Sequence, residues 1–141
     1  MKDQYFGDIN DYLKYGILRC LAAMSGLRVD VVWMLTDSDQ RADGRRTGYL
    51  RSAERWRHHD PPLFDRLQGL LVAGDRRVAL AEEHALVPHA RYLDRGVGDG
   101  PGARSDWAQA LDQWLDPEAL VFFDPDNGIE VPSTPYGRKD S

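Results

Sequence analysis

The sequence contains little cysteine and no long hydrophobic run, and each absence excludes a class of protein. Cys20 is the single cysteine among 141 residues, which excludes an internal disulfide and a zinc site built from cysteines. No apolar stretch approaches the ~20 residues that a helix needs to cross a bilayer, and the first residues lack the pattern of a signal peptide. From the sequence alone we expect a cytoplasmic protein without a membrane partner.

An excess of positive charge is also missing. The formal net charge is −5, which argues against a general nucleic-acid coat protein. A basic segment is nevertheless present between Arg41 and Arg57, where six arginines stand against Asp43 and Glu54. Two interpretations stay open for this segment: an arginine-rich helix face in solvent, or a surface that contacts the phosphates of RNA or DNA.

The glycine patterns of the common nucleotide-binding loops are absent too. Residues 96–102 hold four glycines and one proline, and we predict a mobile loop there. The segment has neither the lysine–serine pair of a phosphate-binding loop nor the helix glycine of the dinucleotide fingerprint. Neither of these two nucleotide-binding motifs is therefore predicted.

Alternating strand and helix patterns predict an α/β domain with a largely parallel sheet. Residues 27–35 and 119–123 have the profile of strands that are buried on both faces, and residues 91–94 form a doubtful third strand. Helices are predicted at 8–25, 47–59, 63–72, 76–86 and 105–115, the last with Ser105 as its cap. With so few strands, we expect the single domain of residues 1–141 to be the front part of a larger, C-terminally incomplete domain.

The helix predicted at 8–25 carries an apolar stripe whose members recur at three- and four-residue intervals. They are Ile9, Tyr12, Leu13, Gly16, Ile17, Cys20, Leu21 and Met24. We expect this stripe to face the core, with Cys20 as a small buried hydrophobe rather than a nucleophile. Asp11, Lys14 and Arg19 lie off the stripe and are expected on a solvated face. Asp8 is the predicted cap of the helix and Gly26 its predicted end.

Polar side chains follow two of the predicted strands directly. Residues 36–45, after the first strand, include Asp37, Asp39 and Asp43, and the last strand runs into Asp124-Pro-Asp-Asn-Gly128. In open α/β sheets, ligands bind outside the carboxyl ends of the strands. We therefore expect one site built from two strand ends.

Three interpretations of the Asp124 turn stay open on the residues alone. Asp124 and the carbonyl of a turn fixed by Pro125 can accept hydrogen bonds from an amine beside a methyl donor, a reaction that depends on proximity and orientation. Alternatively, Asp124 and Asp126, with Glu130 or the earlier aspartates, can hold Mg²⁺ for phosphodiester cleavage or phosphoryl transfer. Asp, Pro, Asn and Gly are also the commonest turn formers for reasons of backbone geometry alone, which leaves a non-catalytic nucleic-acid-binding descendant as a further possibility.

Two segments carry a resemblance to a known family. Residues 122–127, Phe-Phe-Asp-Pro-Asp-Asn, resemble the Asp-Pro-Pro-Tyr or Asn-Pro-Pro-Tyr motif of amino-group methyltransferases. Residues 5–15, Tyr-Phe-Gly-Asp-Ile-Asn-Asp-Tyr-Leu-Lys-Tyr, are similar to the opening of ribosomal RNA adenine-N6 methyltransferases. The chain as a whole is similar to uncharacterised bacterial and phage-associated proteins that share the Asp-Pro-Asp-Asn-Gly signature.

This resemblance implies a Rossmann-like class I methyltransferase fold, a parallel sheet flanked by helices, with S-adenosylmethionine as cofactor. The catalytic residues that it implies are Asp124, Pro125, Asp126 and Asn127. Those implied for the cofactor are Asp37, Asp43, Gly44 and Arg45, and those implied for the substrate are Lys14, Arg46 and Tyr136. No metal is implied by the resemblance; Mg²⁺ belongs to the alternative chemistry.

Overall fold

A computed structural model describes residues 2–35, 44–98 and 100–125. Within these ranges, three strands form one open sheet: β1 (Val29–Trp33), β2 (Arg91–Leu93) and β3 (Leu120–Asp124). The spatial order is β2-β1-β3, and both neighbours pair with β1 in parallel. The structure therefore confirms an α/β domain with a parallel sheet flanked by helices, and it confirms the doubtful strand at residues 91–94.

Five α-helices accompany the sheet in the described part of the chain. They are α1 (Ile9–Ser25), α2 (Ala53–Trp56), α3 (Pro61–Val72), α4 (Leu80–Glu83) and α5 (Pro101–Trp114). The helix predicted over residues 47–59 is instead α2 between two 3-10 turns, Gly48–Arg51 and Arg57–His59, because Ser52 adopts a non-helical backbone with φ −122° and ψ 60°. The helix predicted over residues 76–86 is reduced to the single turn of α4. No helix in the described ranges is long and apolar enough to cross a membrane.

The helices α3 and α5 both begin earlier than predicted, and both begin at a proline. Proline fits the first turn of a helix because its fixed φ is already helical and its missing N–H would have no partner there. Asp60 caps α3 by accepting a hydrogen bond from the Leu63 N–H at 3.1 Å. In α5, Pro101 starts the helix inside the segment predicted as a mobile loop, so Ser105 lies within the helix and is not its cap.

The strand β1 lies at the centre of the sheet, and all five of its residues are buried, as predicted. The core on one face of the sheet is largely aromatic: Tyr15 meets Trp33 edge to face at 6.3 Å between ring centroids, and Tyr12 meets Phe64 at 6.0 Å. The prediction that β3 is also buried on both faces is wrong. Its residues are only partly buried, and Phe123 is 43% exposed, because β3 has one neighbouring strand in the described sheet.

The helix α1 turns a different face to the core from most of the predicted stripe, of which Tyr12 is buried and Ile9 packs against the core as predicted. Its caps are as expected, with Asp8 accepting from two backbone N–H groups of the first turn and Gly26 ending the helix at φ 68°. However, the residues that it buries are Asp11, Tyr12, Tyr15 and Leu18. The side chains of Asp11, Lys14 and Arg19 were expected in solvent but form ion pairs within the fold, and Cys20, expected in the core, is exposed.

On the other face of the sheet, Asp30 joins three elements through two arginines. Its carboxylate is fully buried and accepts from Arg28 Nε at 3.0 Å and from the Arg91 guanidinium through Nε, also at 3.0 Å, and Nη2. Arg91 also donates to the carbonyl of Trp114 at the end of α5, and its guanidinium lies 4.4 Å from that indole ring. Arg28 Nη2 reaches Asp116. Burial alone would raise the pKa of Asp30, but the hydrogen bonds from both arginines outweigh it and lower the pKa.

We expect Asp30→Asn to lower the free energy of unfolding by about 2 kcal/mol at neutral pH. Breaking a fully buried pair costs about 3–5 kcal/mol, and we expect less here because Arg28 and Arg91 are each slightly more than a third exposed and therefore screened by solvent. A lowered folded pKa stabilises the fold above the ordinary pKa of 3.8 and loses that effect as the pH falls below it. Urea unfolding at several pH values should show the difference from the wild type shrinking below that pH; a constant difference would contradict this explanation.

Candidate functional site

The order of the strands reverses beside β1. The chain passes from β1 to β2 on one side and then returns to place β3 on the other side of β1. Such a reversal leaves a crevice outside the carboxyl ends of the two adjacent strands, and α/β proteins bind ligands there. Trp33 and Asp124 are partners in register, so β1 and β3 end at the same edge of the sheet.

A pocket of about 250 Å³ lies at this edge. It is formed by the end of β3, the first two turns of α1 and the 3-10 turn Asp3–Tyr5 that precedes α1. The lining residues are Tyr5, Asp8, Asn10, Asp11, Lys14, Asp124 and Pro125.

The Lys14 ammonium joins the two sides of the pocket. Its Nζ donates to Asp11 Oδ1 at 2.8 Å on α1 and to Asp124 Oδ2 at 2.9 Å at the end of β3. The same nitrogen lies 5.3 Å from the centroid of the Trp33 ring and 5.9 Å from that of Tyr15. The cation therefore contacts a carboxylate on each side and two aromatic rings, and it holds the catalytic candidate Asp124 against α1.

Burial shifts the pKa values of Asp11 and Lys14 in opposite directions, because it disfavours the charged form of each. Burial raises the pKa of Asp11, and the nearby Lys14 ammonium only partly offsets that rise. For Lys14 burial lowers the pKa, but the attraction of Asp11 and Asp124 outweighs it, so the pKa is raised above 10.5. Lys14 is therefore charged at neutral pH, and this charge is what permits a buried carboxylate on Asp11.

A tight backbone turn places Asp11 in the pocket. The N–H of Gly7 donates to Asp11 Oδ2 at 3.0 Å, and the carbonyl of Gly7 accepts from the Tyr49 hydroxyl at 3.1 Å. Gly7 has a positive φ of 76°, and a Cβ atom there would lie 2.8 Å from Leu71 Cδ1. The positive φ favours glycine at this position, and a larger residue would also require the Leu71 side chain to shift.

The segment of residues 44–47 lies beside the start of α1. Gly44 is buried with φ 74°, and an added Cβ would lie 2.8 Å from the carbonyl oxygen of Gln4. The Arg76 guanidinium joins the carbonyl of Gly44 to that of Phe6, and the Ile9 N–H donates to the carbonyl of Arg46 at 3.1 Å. This end of the polar loop that follows β1 is therefore held close to the pocket, with the side chains of Arg45 and Arg46 exposed.

The structure brings some of the sequence-predicted site residues together. Lys14, Asp124 and Pro125 line one pocket, and Gly44, Arg45 and Arg46 lie in the segment beside it. The other predicted residues fall outside the described part of the chain: Asp37, Asp39, Arg41, Asp43, Asp126, Asn127, Glu130 and Tyr136. The sequence analysis missed Asp11 and Asp8 as pocket residues. The available signal was the spacing of Asp11 and Lys14, since residues three apart meet on a helix.

The carboxylates of the pocket already have partners. Asp8 Oδ1 accepts from the N–H groups of Asn10 and Asp11, while Lys14 donates to both Asp11 and Asp124. Across residues 2–35, 44–98 and 100–125, no group of three or more His, Cys, Asp or Glu side chains is arranged to hold a metal ion.

The fold and the pocket define an α/β domain with a candidate ligand site at a reversal of strand order. Comparisons with protein-family models, with curated proteins and with solved structures found no match. The function is therefore argued from the geometry of the site and from the resemblance of its motif.

Proposed function

We propose that this protein transfers a methyl group from S-adenosylmethionine to an amine, in the pocket beside Lys14 and Asp124. One observation carries the proposal: Asp124-Pro125, from the segment that resembles the methyltransferase motif, ends β3 next to β1 and lines the pocket there. A ligand crevice is expected at this reversal of strand order on topology alone. The motif and the topology thus point independently to the same few residues.

The charge of the pocket favours a cationic ligand. Three carboxylates, those of Asp8, Asp11 and Asp124, line it against the single ammonium of Lys14. S-adenosylmethionine carries a sulfonium and an ammonium group against one carboxylate, so its net charge is positive and is attracted to such a lining. An unaccompanied phosphate would meet an excess of negative charge, so the described residues favour amine chemistry over phosphoryl chemistry.

The proposal assigns a different task to each pocket residue. Asp124 accepts a hydrogen bond from the target amine, which its carboxylate can do while it also accepts from Lys14 because it has about four lone-pair sites. Pro125 fixes the turn, and Lys14 holds the carboxylate in place. S-adenosylmethionine bound beside them would supply an electrophilic methyl group and leave as S-adenosylhomocysteine, and the proton lost by the methylated nitrogen would pass to solvent.

The remaining residues are assigned through the resemblance. Asp126 and Asn127 complete the catalytic turn. The cofactor lies against Asp37, Asp43, Gly44 and Arg45, and the substrate lies against Arg46 and Tyr136.

A nucleic acid is the acceptor that the surface beside the pocket favours. The described part of the basic segment includes Arg45 and Arg46, beside the start of α1. The arginines at 45, 46, 51, 55 and 57 are all exposed. Exposed guanidinium groups contact phosphates without reading sequence. The proposed acceptor is therefore an amine of an RNA or DNA base.

We expect the purified protein to transfer the labelled methyl group of S-adenosylmethionine to RNA or DNA, and to do so in the presence of a chelator. A magnesium-dependent phosphodiesterase or phosphotransferase would instead release product only with Mg²⁺ and stop with chelator. A nucleic-acid-binding descendant would show neither reaction, only binding that weakens with salt. Absence of transfer together with Mg²⁺-dependent cleavage would contradict the proposal.

A further inference from the structure

The outward face of α1 carries no charge along its entire length. Its exposed residues are Asn10, Leu13, Ile17, Cys20, Leu21, Ala23, Met24 and Ser25. Four of them are large and apolar, with exposed fractions of 49% for Leu13, 61% for Ile17, 42% for Leu21 and 86% for Met24. We call these four residues the α1 stripe.

The charged residues of α1 all point the other way. Asp11 and Lys14 pair with each other and with Asp124, and Arg19 pairs with Asp60 through Nε at 2.6 Å. A surface helix normally turns its apolar face to the core and its charges to solvent. In α1 the charges instead lie on the inward side, beside the buried Tyr12, Tyr15 and Leu18, and a second row of apolar residues faces solvent. A contiguous apolar surface of this kind is typical of an interaction site, and a depletion of charge is typical of the centre of an interface.

The chemistry of the α1 stripe excludes two kinds of partner. A nucleic acid requires cations that face it, and this face has none. A helix that lies on a membrane surface carries Lys and Arg on its polar face to reach the headgroups, but both cations of α1 are held in ion pairs within the chain. The stripe therefore fits another apolar protein surface.

The spacing of the stripe fits a second helix. Three residues of the stripe, Leu13, Ile17 and Met24, follow one another with Cys20 at intervals of four, three and four residues, the repeat that places side chains along one side of a helix pair. We call these four residues the seam. Gly16 lies on the same side, and a Cβ atom there would meet nothing within 4 Å. The missing side chain allows a second backbone to approach closely between Leu13 and Ile17.

We propose that α1 packs against α1 of a second copy of this chain, antiparallel about a twofold axis. In a twofold interface the same patch meets itself, which requires a surface that does not oppose like charges. The outward face of α1 meets this requirement because all of its exposed residues are uncharged. The antiparallel arrangement also places the positive end of each helix dipole beside the negative end of the other.

The size of the helix sets the expected strength of the dimer. The 17 residues of α1 span about 25 Å with a width of about 10 Å. A helix pair of this length provides less than the ~800 Å² per partner of a standard interface. We therefore expect a dissociation constant in the micromolar range, so that the protein is a monomer when dilute and a dimer when concentrated.

Sedimentation velocity from about 1 µM to about 1 mM covers this range of affinity. We expect a concentration-dependent dimer that Ile17→Glu weakens at least about 100-fold, because it buries a charge in the seam of both copies. Met24→Lys should act in the same way at a more exposed position, and circular dichroism would verify that both variants remain folded. Val72→Glu is the matched control: Val72 is 84% exposed at the end of α3, outside α1, and the dimer should persist.

Cys20 reports on the geometry of the same interface. It lies in the seam and is the single cysteine of the chain, so a short bismaleimide should join two copies of the wild type. We expect this cross-link to disappear in Ile17→Glu and in Cys20→Ser. A protein that remains monomeric at every concentration, or a dimer that survives both Ile17→Glu and Met24→Lys, would overturn the proposal.

Discussion

Replacement of Lys14 by methionine is expected to lower the free energy of unfolding by about 3 kcal/mol at neutral pH, at the lower end of the cost of breaking a buried ion pair. The side chains of Asp11 and Lys14 are only 3% and 15% exposed, so removal of the ammonium leaves a buried carboxylate without its cation. Methionine preserves most of the volume of the lysine stem, which limits the loss of packing against Trp33. The loss is therefore a measure of the charge pairing rather than of a cavity.

The pH dependence distinguishes this explanation from a packing defect. Burial raises the pKa of Asp11 even with Lys14 present, and without Lys14 this pKa rises further. An acid whose pKa is raised in the folded state binds protons more tightly when folded, so the stability of Lys14→Met recovers as the pH falls below that raised value. Denaturant unfolding between pH 7 and pH 4 should show the gap from wild type narrowing. A gap that stays constant with pH would contradict the assigned role of Lys14.

A matched substitution on the surface provides the control. Arg57 forms an ion pair with Asp65 in which both side chains are about half exposed, and Arg57→Met removes that cation from solvent rather than from the interior. Exposed pairs of this type contribute little because water and salt screen them. We expect Arg57→Met to leave stability nearly unchanged at every pH tested.

The second large effect is expected at Asp124, on activity. Asp124→Ala removes both oxygens that can accept the hydrogen bond from the target amine, and we expect the rate of methyl transfer to fall at least about 100-fold, as it does when one group of a preorganised polar site is removed. Asp124→Asn keeps one acceptor oxygen, and its rate of methyl transfer should lie between those of the wild type and Asp124→Ala. Binding of the methyl donor should change much less than the rate, because the lost contact is to the acceptor.

Two measurements keep this prediction specific. Asp65→Asn is the control, since Asp65 is also paired to a cation, Arg57, but lies outside the pocket, and this variant should transfer methyl groups at the wild-type rate. Circular dichroism should show that the Asp124 variants remain folded, because Lys14 retains Asp11 as a partner. Full activity in a folded Asp124→Ala protein would remove Asp124 from the mechanism.

Features set by local sequence were predictable, and those set by distant contacts were not. The strand β1 could be predicted because its residues are apolar apart from Asp30 and so require burial on both faces, and the capping of α1 by Asp8 depends only on its own turn. The inward face of α1 could not be predicted in the same way. That face packs Tyr12 and Tyr15 into the core and brings Lys14 to Asp124, 110 residues later in the chain, and apolar periodicity contains no information about such a pair.

The candidate site shows the same division. Asp124 was predicted from its motif and from its place after a strand, and the expectation that two strand ends share an edge follows from parallel pairing. Asp11 was missed because an acidic residue on a helix is usually solvated. It became recognisable only when the fold placed it between the Gly7 N–H and the Lys14 ammonium.

Calorimetric titration of the wild-type protein with S-adenosylmethionine, with and without Mg²⁺, tests the central claim most directly. We predict saturable binding of about one molecule per chain, as expected for a single crevice at the reversal of strand order, and no requirement for the metal. Absence of heat from a folded sample under both conditions would contradict the assignment of this pocket to a methyl donor.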